Sequence, residues 1–126
     1  MKRILLALGL VALAAISAAC SSASAQPIPS GPVDANGPTI VAKDMAFSPS
    51  TVEVKAGTNV TLHFDNQDSA PHNVAIYTDS SASQKVSVGE IISSSAKDQV
   101  VPALAAGSYF FRCDVHTSMT GTIVAK

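Results

Sequence analysis

Charged residues are scarce in this chain, at 13% of its 126 residues. Lys2 and Arg3 precede a long apolar run at the N-terminus. Without them, six of the eight basic residues remain against nine acidic residues, a net charge of −3. The sequence has no basic cluster of the kind that binds nucleic acid or anionic lipid. We therefore expect neither of these partners.

Cysteine is equally scarce, since Cys20 and Cys113 are the only two. Cys20 directly follows the apolar run and is expected to be either lipidated or removed. Cys113 is then alone in an exported chain, in a compartment where thiols normally pair as disulfides. An isolated thiol in that setting is buried, reactive or bound to a metal.

The N-terminus is typical of a signal peptide over residues 1–20. A basic start is followed by an apolar stretch, residues 4–19, that is too short to span a membrane comfortably. The sequence is compatible with two alternative cleavage sites. Cys20 closes a lipobox-like sequence and would carry a lipid anchor, whereas cleavage after Ala25 would release a soluble protein.

Residues 21–38 are rich in Ser, Ala, Pro and Gly and contain few apolar side chains. This composition predicts a flexible tether. Residues 39–126 form the single predicted domain. The expected location is the periplasm or the outer surface of a bacterial cell envelope, with membrane anchoring if Cys20 is lipidated.

The domain has the pattern of an all-β protein. Val60, Leu62 and Phe64 alternate with polar residues, as in a half-buried strand. Tyr109, Phe111 and Cys113 share one face of a later strand. Seven or eight short runs of this kind, separated by turn residues and without helical periodicity, predict an antiparallel β-sandwich.

The strongest chemical signal is the spacing Cys113-x2-His116-x2-Met119 between two predicted strands. A thiolate, two imidazoles and a weak axial thioether are the donors of a blue-copper site. His72, 41 residues before Cys113, is the predicted second imidazole. Asn73 is expected to hydrogen-bond the ligand loop.

Other chemistries fit these residues less well. Structural zinc requires a closed set of four Cys, His or carboxylate ligands, and a thioether is a poor zinc ligand. A binuclear copper centre needs a second cysteine in the loop, which is absent. A cysteine nucleophile needs a histidine oriented by a third group and an oxyanion hole. No such set is visible, so we expect no enzymatic activity.

The sequence resembles the cupredoxins, in particular the plastocyanin and amicyanin branch. The matching stretches run in family order through the domain: residues 46–49, 54–58, 71–74, 107–113 and 119–123. The resemblance implies a Greek-key sandwich with one copper ion bound by His72, Cys113, His116 and Met119. The ligand loop has the short length found in amicyanin. It differs in carrying Asp114 after the cysteine and non-proline residues on both sides of His116, which predicts a softer loop.

Three functions remain open from the sequence. The resemblance favours an exported, mononuclear blue-copper electron carrier that is monomeric and exchanges electrons with redox proteins of unknown identity. The alternative is a copper-binding protein that stores copper in the envelope or delivers it. A third hypothesis is a domain of the same fold that acts in protein interaction without redox chemistry.

Overall fold

The computed structural model describes residues 31–126. The predicted signal peptide, Cys20 and the first part of the tether lie outside this range. Within it, ten strands are formed: β1 (Val33–Asp34), β2 (Thr39–Lys43), β3 (Ala46–Ser48), β4 (Thr51–Val54), β5 (Asn59–Asn66), β6 (Ala75–Tyr77), β7 (Lys85–Val88), β8 (Ser95–Val101), β9 (Gly107–Arg112) and β10 (Thr120–Ala125).

The first sheet is built around β5. One edge of β5 pairs from Val60 to Asn66 with the antiparallel β8. Its other edge is shared by two parallel strands, β1 beside its first residues and β2 beside its last four. β3 then pairs with β2 and closes the sheet. The long central strand therefore connects the two ends of the molecule.

The second sheet has the order β4-β10-β9-β6-β7. β9 lies in its centre and is antiparallel to both β10 and β6. β4 is parallel to β10, so each sheet mixes the two kinds of pairing. Because β9 runs against both neighbours, the end of β9 lies beside the starts of β6 and β10.

The core lies between the two sheets and follows the predicted alternation. Leu62 and Phe64 on β5 are buried, as are Phe111 on β9 and Ile123 on β10. Phe47 contacts the rings of Phe64 and Phe111 across the interface, with centroids 6.3 and 5.3 Å away. These contacts join the sheets close to the strand ends that carry the predicted ligands.

The all-β class and the sandwich are confirmed, with ten strands where the sequence predicted seven or eight. One additional strand, β1, lies within residues 21–38, the segment predicted to be a tether. Its two residues pair with Asn59 and Val60. Residues 95–96 have weak strand propensity but belong to β8, because antiparallel pairing with β5 compensates for it. No helix within residues 31–126 is long and apolar enough to cross a membrane.

Candidate metal centre

Strand order brings the predicted ligands to one end of the second sheet. Cys113 directly follows β9, Met119 directly precedes β10, and His72 lies three residues before β6. Since the end of β9 adjoins the starts of both neighbours, three distant segments meet there. A backbone bridge between His72 and Ile92 fixes the approach to β6, with N–O distances of 3.0 and 2.9 Å.

The donor atoms of His72, Cys113 and His116 all lie within 4.8 Å of one another. Nδ1 of His72 is 3.7 Å from Sγ of Cys113 and 3.1 Å from Nδ1 of His116. The two imidazole rings meet edge to face at a centroid distance of 4.8 Å. His72 and Cys113 are completely buried, whereas His116 is partly exposed. Three of the four predicted ligands thus form one cluster of donor atoms.

Met119 is buried at the base of the same loop. Its backbone N–H donates to the carbonyl of His116 at 2.9 Å, and its carbonyl accepts from the N–H of Cys113 at 3.0 Å. The N–H of His116 in turn donates to Sγ of Cys113 at 3.4 Å. These bonds close residues 113–119 into a compact turn, with the sulfur of Cys113 facing a backbone donor.

Asp68 orients the buried ring of His72. Its Oδ2 lies 3.2 Å from Nε2 of His72, so the proton on this ring is held at Nε2 and Nδ1 is left as a lone-pair donor. The same carboxylate accepts the backbone N–H groups of Met45 and Asp44, at 3.1 and 2.9 Å. These backbone bonds, followed by the contact with His72, hold the pKa of Asp68 below its ordinary value.

Asn73 connects the two segments that supply the cluster. Its Oδ1 accepts the backbone N–H of Asp114 at 2.8 Å, and its Nδ2 donates to the carbonyl of Gly89 at 3.3 Å. The clamp expected from the sequence is therefore present. It fixes the residue that follows Cys113 against the residue that follows His72.

A family model described as a cupredoxin-like domain matches residues 8–125. The chain belongs to the cupredoxin-like family. No protein with a curated description matches the chain.

Solved structures resemble this cupredoxin-like domain at low sequence identity. Auracyanin A, a blue copper protein from Chloroflexus aurantiacus, is 21% identical with a TM-score of 0.63, covering 71% of this chain and all of its own. Auracyanin from Roseiflexus castenholzii is 16% identical with a TM-score of 0.63, covering 74% and 98%. The reduced Cu(I) form of an amicyanin variant is 21% identical with a TM-score of 0.56, covering 72% and 83%. At these identities the likeness establishes the fold.

The cupredoxin-like domain also contains a polar cluster around Asp114 that the sequence analysis did not identify. Oδ1 of Asp114 accepts from the hydroxyl of Tyr77 at 2.5 Å and from Nε of Arg112 at 3.1 Å. Nζ of Lys85 lies 3.8 Å from Oδ2. Burial raises the pKa of Asp114, but the bonds from Tyr77 and Arg112 and the charge of Lys85 outweigh it, so the pKa lies below its ordinary value.

The donor set of this cupredoxin-like protein fits copper. A soft thiolate and two neutral imidazoles suit both Cu(I) and Cu(II). The buried thioether of Met119 adds a donor that zinc does not favour. Nδ1 of His72 carries its lone pair toward the cluster, because Nε2 of the same ring is bonded to Asp68.

The surface around the cluster carries exposed apolar side chains. Met45 is bonded through its backbone to Asp68, Ile91 adjoins the bridge to His72, and Val115 lies in the ligand loop. Their exposed fractions are 47%, 59% and 41%. We call these three residues the apolar rim.

Proposed function

We propose that the protein is an exported electron carrier that binds one copper ion. His72 and His116 would bind it through Nδ1, Cys113 through Sγ, and Met119 through its thioether. The observation that carries this proposal is the convergence of three donor atoms: Nδ1 of His72 lies 3.7 Å from the buried Sγ of Cys113 and 3.1 Å from Nδ1 of His116. Copper supplies a one-electron couple between Cu(I) and Cu(II) at such donors.

The chain's own residues supply the conditions for fast electron exchange. Cys113 and His72 are completely buried, so water is kept from the donors. Asp68 and Asn73 hold the ring of His72 and the start of the ligand loop in place. Ligands fixed in this way need little rearrangement when the charge of the ion changes.

His116 is the proposed exit for the electron. It is partly exposed, and exposed Thr117 and Ser118 follow it in the loop. The three residues of the apolar rim expose apolar side chains, and a small docking surface suits brief encounters with redox proteins. A partly exposed His116 beside a small apolar surface fits docking of a redox partner better than binding of a substrate. We therefore propose no enzymatic activity.

Burial favours the carrier over the alternative of copper delivery. A delivery protein must release Cu(I) to an acceptor by ligand exchange, which requires that incoming thiols or thioethers reach the metal. Two of the donor residues, His72 and Cys113, have a relative solvent exposure of 0%, so an incoming ligand cannot reach them directly. Delivery therefore remains the second candidate, with the same ligands.

The deciding experiment is titration of the metal-free protein with Cu(II), followed by visible spectroscopy and voltammetry. We expect an intense blue or green colour from charge transfer between thiolate and copper, one ion per chain and a reversible one-electron wave. Cys113→Ser should bind without colour, whereas Ser118→Ala in the same loop should keep the colour. Colourless Cu(II) binding by the unaltered protein would contradict the proposal, and rapid loss of Cu(I) to a soluble chelator would favour delivery.

Export and lipid attachment are part of the proposal and concern residues outside the described range. If Cys20 is lipidated, the protein partitions with membranes and Cys20→Ala releases or mislocalises it. A mature N-terminus at Gln26, determined by mass spectrometry of the purified protein, would instead establish a soluble exported form.

A further inference from the structure

The loop that follows Cys113 lacks the prolines that flank the histidine in amicyanin. Its first residue, Asp114, nevertheless contacts residues of three strands. Asp114 directly follows Cys113, and its carboxylate meets Tyr77 at the end of β6, Lys85 at the start of β7 and Arg112 at the end of β9. We infer that Asp114 is a positioning residue: with Tyr77 and Arg112 it fixes the ligand loop. This inference rests on the proposed copper function.

Tyr77 is the central contact of this arrangement. Its side chain is completely buried, and burial followed by the bond to Asp114 raises the pKa of its hydroxyl. The hydroxyl therefore stays protonated and donates to Oδ1 of Asp114. A hydrogen bond to a charged acceptor from a buried donor is among the stronger kinds in proteins.

Arg112 balances the charge of Asp114 and orders Tyr77. Its Nε donates to Oδ1 of Asp114, and one terminal nitrogen lies 3.4 Å from the hydroxyl of Tyr77. The guanidinium carbon stands 4.9 Å from the centroid of the tyrosine ring, within the range of a cation–π contact. The carboxylate next to Cys113 is thus paired with a cation, which limits its influence on the thiolate.

Asp114 attaches the start of the loop to neighbouring segments of the domain. Within residues 113–119, the bonds among Cys113, His116 and Met119 close the turn on itself. The backbone of Asp114 is attached to Asn73 and its side chain to Tyr77 and Arg112. Loss of the side-chain attachment should let residues 114–116 move and carry the ring of His116 with them.

Amide hydrogen exchange of the metal-free protein, measured by NMR, tests the inference without relying on copper. Tyr77→Phe removes the hydroxyl but keeps the ring beneath Arg112. We expect exchange at the amides of Asp114, His116 and Met119 to accelerate about fivefold or more, as for loss of a net hydrogen bond. Amides of the β5–β8 ladder should exchange at the same rate as in the unaltered protein.

Tyr109→Phe is the matched control. It deletes a hydroxyl of the same kind, bonded to the carbonyl of Ala105 at 3.0 Å, near the opposite end of β9 from Cys113. Asp114→Ala is a second variant, at a side chain that is 24% exposed, so folding is less at risk. It should accelerate the same loop amides.

Unchanged loop exchange in Tyr77→Phe or in Asp114→Ala would overturn the inference. Equal acceleration throughout the protein would overturn it too, because the contacts would then serve general stability. In the copper-loaded protein, Tyr77→Phe should also shift the visible bands and slow self-exchange, and Tyr109→Phe should do neither. If the unaltered protein forms no coloured copper site, the proposed function fails, but exchange in the metal-free protein still decides the role of Asp114.

Discussion

Nε2 of the buried His72 lies 3.2 Å from Oδ2 of Asp68, and this carboxylate also accepts two backbone N–H groups from the turn between β2 and β3. Both turn residues, Asp44 and Met45, have positive φ angles of 52° and 61°. Such angles are unfavourable for residues other than glycine. Asp68 therefore stabilises a strained turn and a histidine of the proposed metal site together.

Asp68→Asn should raise the reduction potential of the copper site. The charged acceptor increases the donor strength of His72, which stabilises Cu(II) more than Cu(I). Changes to such partners typically alter metal affinity about 10- to 100-fold, and a tenfold loss confined to Cu(II) corresponds to about 60 mV. Voltammetry should show this rise, with Asp65→Asn as the control because Asp65 bonds Gln67 instead. A potential that is equal in the two variants would contradict this role.

Met119→Leu should keep the colour and raise the potential. A weak axial donor stabilises Cu(II) and is not required to hold the ion. Leucine also preserves most of the buried volume, and volume-conserving exchanges cost less than about 1.5 kcal/mol. Visible spectra and voltammetry check both expectations. Complete loss of copper would instead make Met119 a primary ligand or an irreplaceable packing residue.

A charge introduced beside His116 should slow electron exchange. Thr117→Glu places a carboxylate on the proposed docking surface without touching a donor atom, so the visible spectrum should stay nearly the same. Ser108→Glu is the control, since Ser108 lies at the start of β9, away from the ligand loop. NMR line broadening of mixed Cu(I) and Cu(II) protein measures the exchange rate. Equal rates in both variants would place the electron exit on another face.

His63 should make stability depend on pH through contacts remote from the ligands. Its Nδ1 is 2.6 Å from Oδ1 of Asp98 and its Nε2 is 3.2 Å from the carbonyl of Ala35. Both partners are acceptors, so only the doubly protonated ring satisfies both. The bond to Asp98, followed by that to Ala35, raises the pKa of His63 above its ordinary value of 6.5.

A raised pKa in the folded state fixes the sign of this dependence. The contribution of His63 is fully present below pH 6.5 and is lost as the pH rises through the higher folded value. The effect should be small because both side chains are substantially exposed. Urea unfolding of the protein and of His63→Gln should give a difference that shrinks with rising pH. A difference that stays constant with pH would show no contribution from the titration of His63, and one that grows would have the opposite sign; either would contradict the prediction.

The sequence predicted the sandwich because some of its strands alternate clearly between apolar and polar residues, as Val60, Leu62 and Phe64 of β5 illustrate. It also predicted which residues meet, since Cys113 and His116 share a short loop and His72 precedes a strand. The roles of these residues as ligands stay predictions. Contacts such as Tyr77 with Asp114 span 37 residues and depend on side-chain direction, which alternation does not specify. β1 was missed because two residues carry too little pattern to be distinguished from a tether.

The parallel pairing of β1 with the first residues of β5 fixes where the N-terminal segment reaches the domain. Val33 lies beside Asn59, whereas the segment carrying His72 leaves β5 after Asn66. At about 3.3 Å per residue, eight residues separate these ends by about 25 Å. A membrane attachment upstream of residue 31 would therefore reach the domain at the pole opposite the candidate metal centre. The face around His116 would lie far from that attachment and stay accessible to partners that diffuse through the surrounding medium.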